Sequence, residues 1–199
     1  MKILEKAIRF IIENNKGNYN SYHNYEHLLT VYNSVMEIAQ NELFSNKLES
    51  NKTILELSSL FHDFNHLGIK TDDQNNIDLA IEGFEQFYNQ NKEEITESQK
   101  SEIIRLIQST KFPYNENSND ILINIIRDAD MSSLFKDNFI FTGVFGLAKE
   151  FNIDIKQQVK NQIKFLNNIR FNTKYCIKKW YEIYSYKIGE LIELDNLLT

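Results

Sequence analysis

All four histidines of the chain fall in two pairs of identical spacing, His23/His27 and His62/His66, and Asp63 directly follows His62. Residues four apart lie on one face of a helix, so each pair is expected to aim two imidazoles at one point. Imidazole and carboxylate together make a ligand set for a divalent cation. Two more carboxylates stand in Arg127-Asp128-Ala129-Asp130-Met131-Ser132. A set of His27, His62, Asp63 and Asp130 would put two neutral nitrogens and two carboxylates on one ion. Open positions would remain for water and substrate. Neighbouring helical residues point about 100° apart, so His62 and Asp63 can serve one ion from its flank, or Asp63 can reach a second. Water on such an ion has its pKa lowered to ~7, which supplies hydroxide at neutral pH. The expected cofactor is one or two divalent ions, with Zn, Mn, Mg, Fe and Ni all compatible with mixed His/Asp ligation.

The elements that must hold these residues read as helices. One proline and six glycines leave few forced breaks, and no stretch alternates with period two. The expectation is an all-α fold, one multi-helix bundle over residues 1–199. A first helix runs from about Ile3 to Asn15 and closes at Gly17-Asn18. The next carries His27 and continues through Leu28, Val31, Val35 and Ile38. Ser45 to Asn51 reads as a polar connection, with Thr53 capping a helix that contains His62 and ends at Gly68. Thr71 to Asn76 and Asn115 to Asn119 read as loops, with Pro113 stopping the helix before the second. Ile121 to Ile126 lead into Asp128 and Asp130 on a central apolar helix. Three helical stretches follow. The frequent asparagines read as compositional bias.

The order of motifs resembles the HD-domain superfamily of metal-dependent phosphohydrolases. Tyr22-His23-Asn24-Tyr25-Glu26-His27, Phe61-His62-Asp63-Phe64-Asn65-His66-Leu67-Gly68 and Ala129-Asp130-Met131-Ser132 are most similar to its cyclic-nucleotide phosphodiesterase branch, over about Tyr22 to Phe165. The resemblance implies hydrolysis of a nucleotide phosphodiester, a 3′,5′-cyclic nucleotide included. It makes His23 the general acid on the leaving oxygen and His27, His62, Asp63 and Asp130 the metal ligands, with Asp63 bridging to a second ion. His66 would belong to the shell of that second ion, and Asn24 would orient a ligand carboxylate. Asp128 competes with Asp130, and the family pattern favours Asp130. Gln162-Ile163-Lys164-Phe165 is similar to the family segment whose glutamine reads a purine edge and whose aromatic ring stacks on it. The chain is shorter than the animal phosphodiesterase domain, and a compact bacterial type of HD phosphohydrolase fits its length better. The same site would serve a phosphomonoesterase of nucleotides or small phosphates. A non-catalytic nucleotide-binding module is the reading from another class.

Composition narrows the partners. A net charge of −6 with dispersed acids argues against a nucleic-acid polymer or an anionic membrane and leaves a small-molecule nucleotide. The single cysteine, Cys176, excludes an internal disulfide and reads as a buried small hydrophobe, which suits a cytoplasmic location. The N-terminal stretch is an amphipathic helix rather than a leader peptide. Asp72, Asp73, Asp78 and Lys111 read as solvated. Tyr175, Tyr181, Tyr184 and Tyr186 read as packing or as a homodimer surface.

Overall fold

The computed structural model describes residues 2–114 and 118–198, and among them the chain is all-α with no strand. The helices are α1 (Ile3–Asn14), α2 (Tyr25–Glu42), α3 (Ser45–Phe61), α4 (Gln74–Gln90), α5 (Glu97–Ser109), α6 (Ile121–Asp130), α7 (Leu147–Glu150), α8 (Ile155–Asn168) and α9 (Lys174–Leu197). No helix among the described residues is long and apolar enough to cross a membrane. Asn115 to Asn117 of the expected loop lie outside the described residues.

α2 lies against α3 and α6, and α3 also packs on α1 and α5. Phe10, Phe61, Phe64, Phe84 and Phe87 interlock between α1, the end of α3 and α4, with ring centroids 5.3–6.0 Å apart. Two of these rings, Phe61 and Phe64, bracket His62-Asp63. Burying them in close-packed aromatic surroundings fixes that pair from behind.

Two expected boundaries move. Ser45 to Asn51 is not a connection: α3 begins at Ser45, after the extended Phe44, so Thr53 lies inside the helix rather than capping it. The first turns of α3 are mostly solvent-exposed, so their polar residues cost nothing there. At its other end α3 stops at Phe61, well before Gly68. His62 to Asn65 form turns, closed by Phe64 N–H to Phe61 O at 3.0 Å and His66 N–H to Asp63 O at 3.1 Å. Asn65 then takes a left-handed conformation at φ 60°, which asparagine tolerates better than most residues.

After α6 the chain makes a 3₁₀ turn, Met131–Phe135, and a π-helical stretch, Ile140–Gly146, that runs into α7. Gly146 lets this stretch approach the segment before α2, since a Cβ there would stand 3.0 Å from the Ser21 carbonyl oxygen. That approach carries Glu150 to the first histidine motif.

Candidate metal centre

His27, His62, Asp63 and Asp130 converge. Their nearest donor atoms all lie within 4.8 Å of one another. His27 Nε2 is 3.1 Å from Asp63 Oδ2 and 3.4 Å from Asp130 Oδ1, and His62 Nε2 is 3.2 Å and 3.4 Å from the same two oxygens. The two Nε2 atoms are 3.3 Å apart. Ligands about 2.1 Å from a common ion stand ~3.0 Å apart at a right angle and ~3.4 Å apart at a tetrahedral one. The observed separations fall in that range, so these four residues fit a single divalent cation. Three stretches of chain supply them: the first turn of α2, the turn after α3, and the last turn of α6.

The surroundings orient these side chains. His62 is fully buried, and its Nδ1–H donates to the Ser59 carbonyl at 2.7 Å, which turns Nε2 toward the cluster. Tyr114, which the motif reading missed, brings its hydroxyl to 3.4 Å from Asp130 Oδ2. Asn24 does not reach a ligand carboxylate as expected. It is the N-cap of α2, accepting from the N–H groups of Glu26 at 2.9 Å and His27 at 3.3 Å, so it fixes the backbone of a ligand instead.

The electrostatics favour positive charge at the cluster. Burial alone would lower the pKa of His62 and His27, yet the carboxylates of Asp63 and Asp130 hold both above the ordinary imidazole value. Burial alone would raise Asp63 and Asp130, and the two imidazoles hold both low. The two buried carboxylates draw positive charge into the cluster, which a cation can supply in place of the imidazole protons.

The other two histidines sit apart from this cluster. His23 precedes the N-cap of α2 and His66 follows the turn after α3, so neither pair keeps helical i,i+4 geometry. Instead His23 and His66 stack on each other, centroids 3.7 Å apart and planes 21° from parallel. His23 Nδ1–H donates to Glu150 Oε1 at 2.5 Å, while Glu150 Oε2 accepts from the N–H groups of Tyr22 at 2.7 Å and His23 at 3.0 Å. These bonds hold the buried carboxyl of Glu150 below its ordinary pKa against the opposing effect of burial. The donor atoms of His23, His66 and Glu150 are close enough for a cation, but the ring geometry argues for a hydrogen-bonded assembly. Imidazole lone pairs lie in the ring plane, and those of stacked rings run side by side rather than meeting. His66 also has Gly68 N–H 3.1 Å from Nδ1 and the Asn76 amide nitrogen 3.0 Å from Nε2. Burial, with the nearby His23, lowers its pKa to about 4. Glu150 lies 127 residues from His23, and no spacing in the sequence marks it.

Asparagines brace this arrangement. Asn15 Oδ1 accepts from Asn65 N–H at 2.8 Å, and Asn65 Oδ1 accepts from Lys16 N–H at 2.7 Å. Asn20 Nδ2 donates to the carbonyls of His66 at 2.8 Å and His23 at 3.2 Å. Gly68, at φ 66°, is pressed against Asn20, 2.4 Å from where a Cβ would stand. The asparagines that read as compositional bias therefore tie the two histidine motifs together.

Asp128 belongs to neither group. Its carboxylate accepts from the backbone N–H and amide of Asn172 and from the N–H and hydroxyl of Thr173, at 2.7–3.0 Å, and so secures the start of α9. Asp130 and not Asp128 lies in the cluster, since residues two apart on a helix point in nearly opposite directions. Cys176 is buried and free, and burial pushes its thiol up to about 12, as expected of a packing residue. Asp72 and Asp78 are exposed, and Lys111 is tied to Gln74 and Asp72. Asp73 accepts from Phe112 N–H at 2.7 Å.

A cavity of about 430 Å³ opens from Asp63 and Asp130, past His23 and His66, to Gln162 and Phe165 on α8. Gln162 is only 8 % exposed, and its amide makes no hydrogen bond among the described residues. Phe165, three residues on, meets Phe112 edge-on at 6.1 Å. No protein-family profile, curated protein or solved structure matches the chain.

Proposed function

We propose that the chain is a metal-dependent phosphohydrolase of the HD-domain type, acting on a nucleotide phosphodiester, with 3′,5′-cyclic nucleotides as the leading candidates. The observation that carries this reading is the convergence of two imidazoles and two carboxylates at ion-binding separations, at one end of a cavity lined by a glutamine and a phenylalanine at the other. A divalent ion held there would supply Lewis acidity toward phosphorus–oxygen bonds and a nucleophilic water. His27, His62, Asp63 and Asp130 hold and orient it. His23 faces the same cavity and protonates the departing oxygen, while the Glu150 carboxylate fixes its ring and balances the charge it carries when doubly protonated. Gln162 reads the base edge and Phe165 stacks on its face. The reaction takes place in a small-molecule pocket, which fits the acidic surface of the chain.

Lys70 lines the same cavity and favours a second reading: an ammonium there suits the extra negative charge of a phosphomonoester. The test is elemental analysis of the purified protein, followed by turnover of cyclic nucleotides, linear diesters and nucleoside monophosphates with each candidate cation. Turnover of cyclic or linear diesters supports the proposal, and turnover of monophosphates alone supports the second reading. Retention of nucleotide without turnover under every cation would make the chain a binding module.

A further inference from the structure

Asp63 and Asp130 each turn one oxygen on both imidazoles of the cluster, Oδ2 in Asp63 and Oδ1 in Asp130. The other oxygen of Asp130 faces Tyr114. The phenol hydroxyl stands 3.4 Å from Asp130 Oδ2 and 3.3 Å from the Arg127 carbonyl oxygen, both in the last turn of α6. A phenol keeps its proton at neutral pH, and of two acceptors the charged one makes the stronger bond. The ring is clamped as well. The Arg127 guanidinium lies over it, 4.7 Å from its centroid, and Arg127 Nε donates to the Ser109 carbonyl at 2.8 Å, which ties the stack to the end of α5. Tyr114 also approaches Asp130 from behind. It lines a neighbouring cavity of about 280 Å³ together with Arg127, while Asp63 and Asp130 line the cavity of about 430 Å³. The hydroxyl therefore acts on the carboxylate and not on a molecule in the larger cavity.

We infer that Tyr114 is a positioning residue that sets which cation the cluster accepts: by holding Asp130 Oδ2 it leaves the cluster a single oxygen from this carboxylate, which favours a small divalent ion such as Mn²⁺ over Ca²⁺. Calcium collects about six to eight oxygen ligands and readily takes both oxygens of a carboxylate, whereas smaller ions are satisfied by fewer donors. A carboxylate with one oxygen engaged by a clamped donor resists the larger ion. It also presents its free oxygen in one orientation, which is how a hydrogen-bond partner of a ligand raises metal affinity. The inference rests on the metal centre of the reading above and is independent of the substrate proposed there.

The test is Tyr114→Phe, which removes one oxygen and keeps the ring under Arg127. The full chain and the variant are stripped with chelator and titrated with Mn²⁺, read by the electron paramagnetic resonance of the free ion, and with Ca²⁺, read by calorimetry. Helicity and the unfolding midpoint of the variant are measured alongside. The wild type should prefer Mn²⁺. Tyr114→Phe should weaken Mn²⁺ by about tenfold, the low end for loss of a group that hydrogen-bonds a ligand, and should weaken Ca²⁺ less, so that the ratio of the two affinities falls. An unchanged ratio overturns the inference, whether both affinities stay as they were or both fall together, as loss of packing alone would make them do. A wild type that holds neither cation overturns the metal centre and the inference with it. A ratio that shifts as expected in a protein that hydrolyses no phosphoester upholds the inference and overturns the substrate reading alone.

Discussion

The four histidines divide by environment rather than by sequence pair. His27 and His62, one from each motif, turn Nε2 toward the carboxylates of Asp63 and Asp130. His23 and His66, the other two, lie against each other and are satisfied by Glu150, Gly68 and Asn76. The first group turns its donor atoms on one another, and the second is tied to neighbouring backbone and side-chain groups. Identical side chains a few ångströms apart are thereby suited to different work, one group to a cation and the other to protons. The difference comes from what each ring is given to bond, which is the usual way a protein sets imidazole chemistry.

The largest expected effect breaks the first group alone. Asp63→Ala should abolish both bound metal and turnover, because Asp63 Oδ2 stands between both ligand imidazoles. Elemental analysis and far-ultraviolet dichroism read the outcome: metal lost, helicity kept. His23→Ala should do the reverse, keeping the metal and lowering turnover by about 10²–10⁴-fold, the range for a positioned proton donor. The loss should shrink on a nitrophenyl ester, whose leaving group needs no proton. If His23→Ala also sheds the metal, the two groups are one site and the comparison fails.

Glu150→Gln sharpens the division. The amide oxygen can keep the two backbone hydrogen bonds that Glu150 Oε2 accepts, and the substitution removes the charge opposite His23. Turnover should fall by about 10²-fold with metal content unchanged, the low end for loss of a group that orients and balances a proton donor. Metal loss in this variant would mean that Glu150 ligates an ion, which would favour the chelating reading of the second group.

The convergence of the first group was legible in the sequence, because residue type and motif order survive errors in local geometry. His27, His62, Asp63 and Asp130 were assigned as ligands from residue types and motif order. Helical i,i+4 spacing is nevertheless not what brings the imidazoles together: α3 ends at Phe61, and the two histidines of each pair do not share a helix face. That turn depends on Asn15, Asn20 and Asn65, which are distant in sequence. The second group was only half legible for the same reason, since Glu150 arrives through a π-helical stretch that periodicity does not reveal. The all-α fold was readable from sparse glycine and proline, while the start of α3 was not, because a solvated polar helix resembles a loop in composition.

Asp128 offers a smaller effect outside both groups. Asp128→Asn should leave metal and turnover in place, because its carboxylate bonds only to Asn172 and Thr173 among the described residues. One oxygen becomes a donor facing donors at the start of α9, which should lower stability by about 2–3 kcal/mol. Denaturant titration measures it. A loss of metal instead would return Asp128 to the ligand set.

The smallest effect concerns His66 and appears only in acid. Its folded pKa of about 4 lies below the ordinary imidazole value of 6.5. The unfolded chain therefore takes up a proton first as pH falls. The contribution of neutral His66 to stability is complete above pH 6.5, declines between 6.5 and about 4, and is constant below that. Between pH 6.5 and pH 5 the decline should amount to about 2 kcal/mol. Acid also protonates the metal ligands, so the comparison is made in chelator, between the wild type and His66→Gln at each pH. The difference between the two unfolding free energies cancels whatever the other groups contribute. It should narrow by that amount as the pH is lowered, since glutamine has no proton to gain. A difference that stays constant with pH would mean that His66 takes up its proton as readily folded as unfolded. The paired histidine group would then be as ready for positive charge as the ligand group, and the division between them would rest on ring geometry alone.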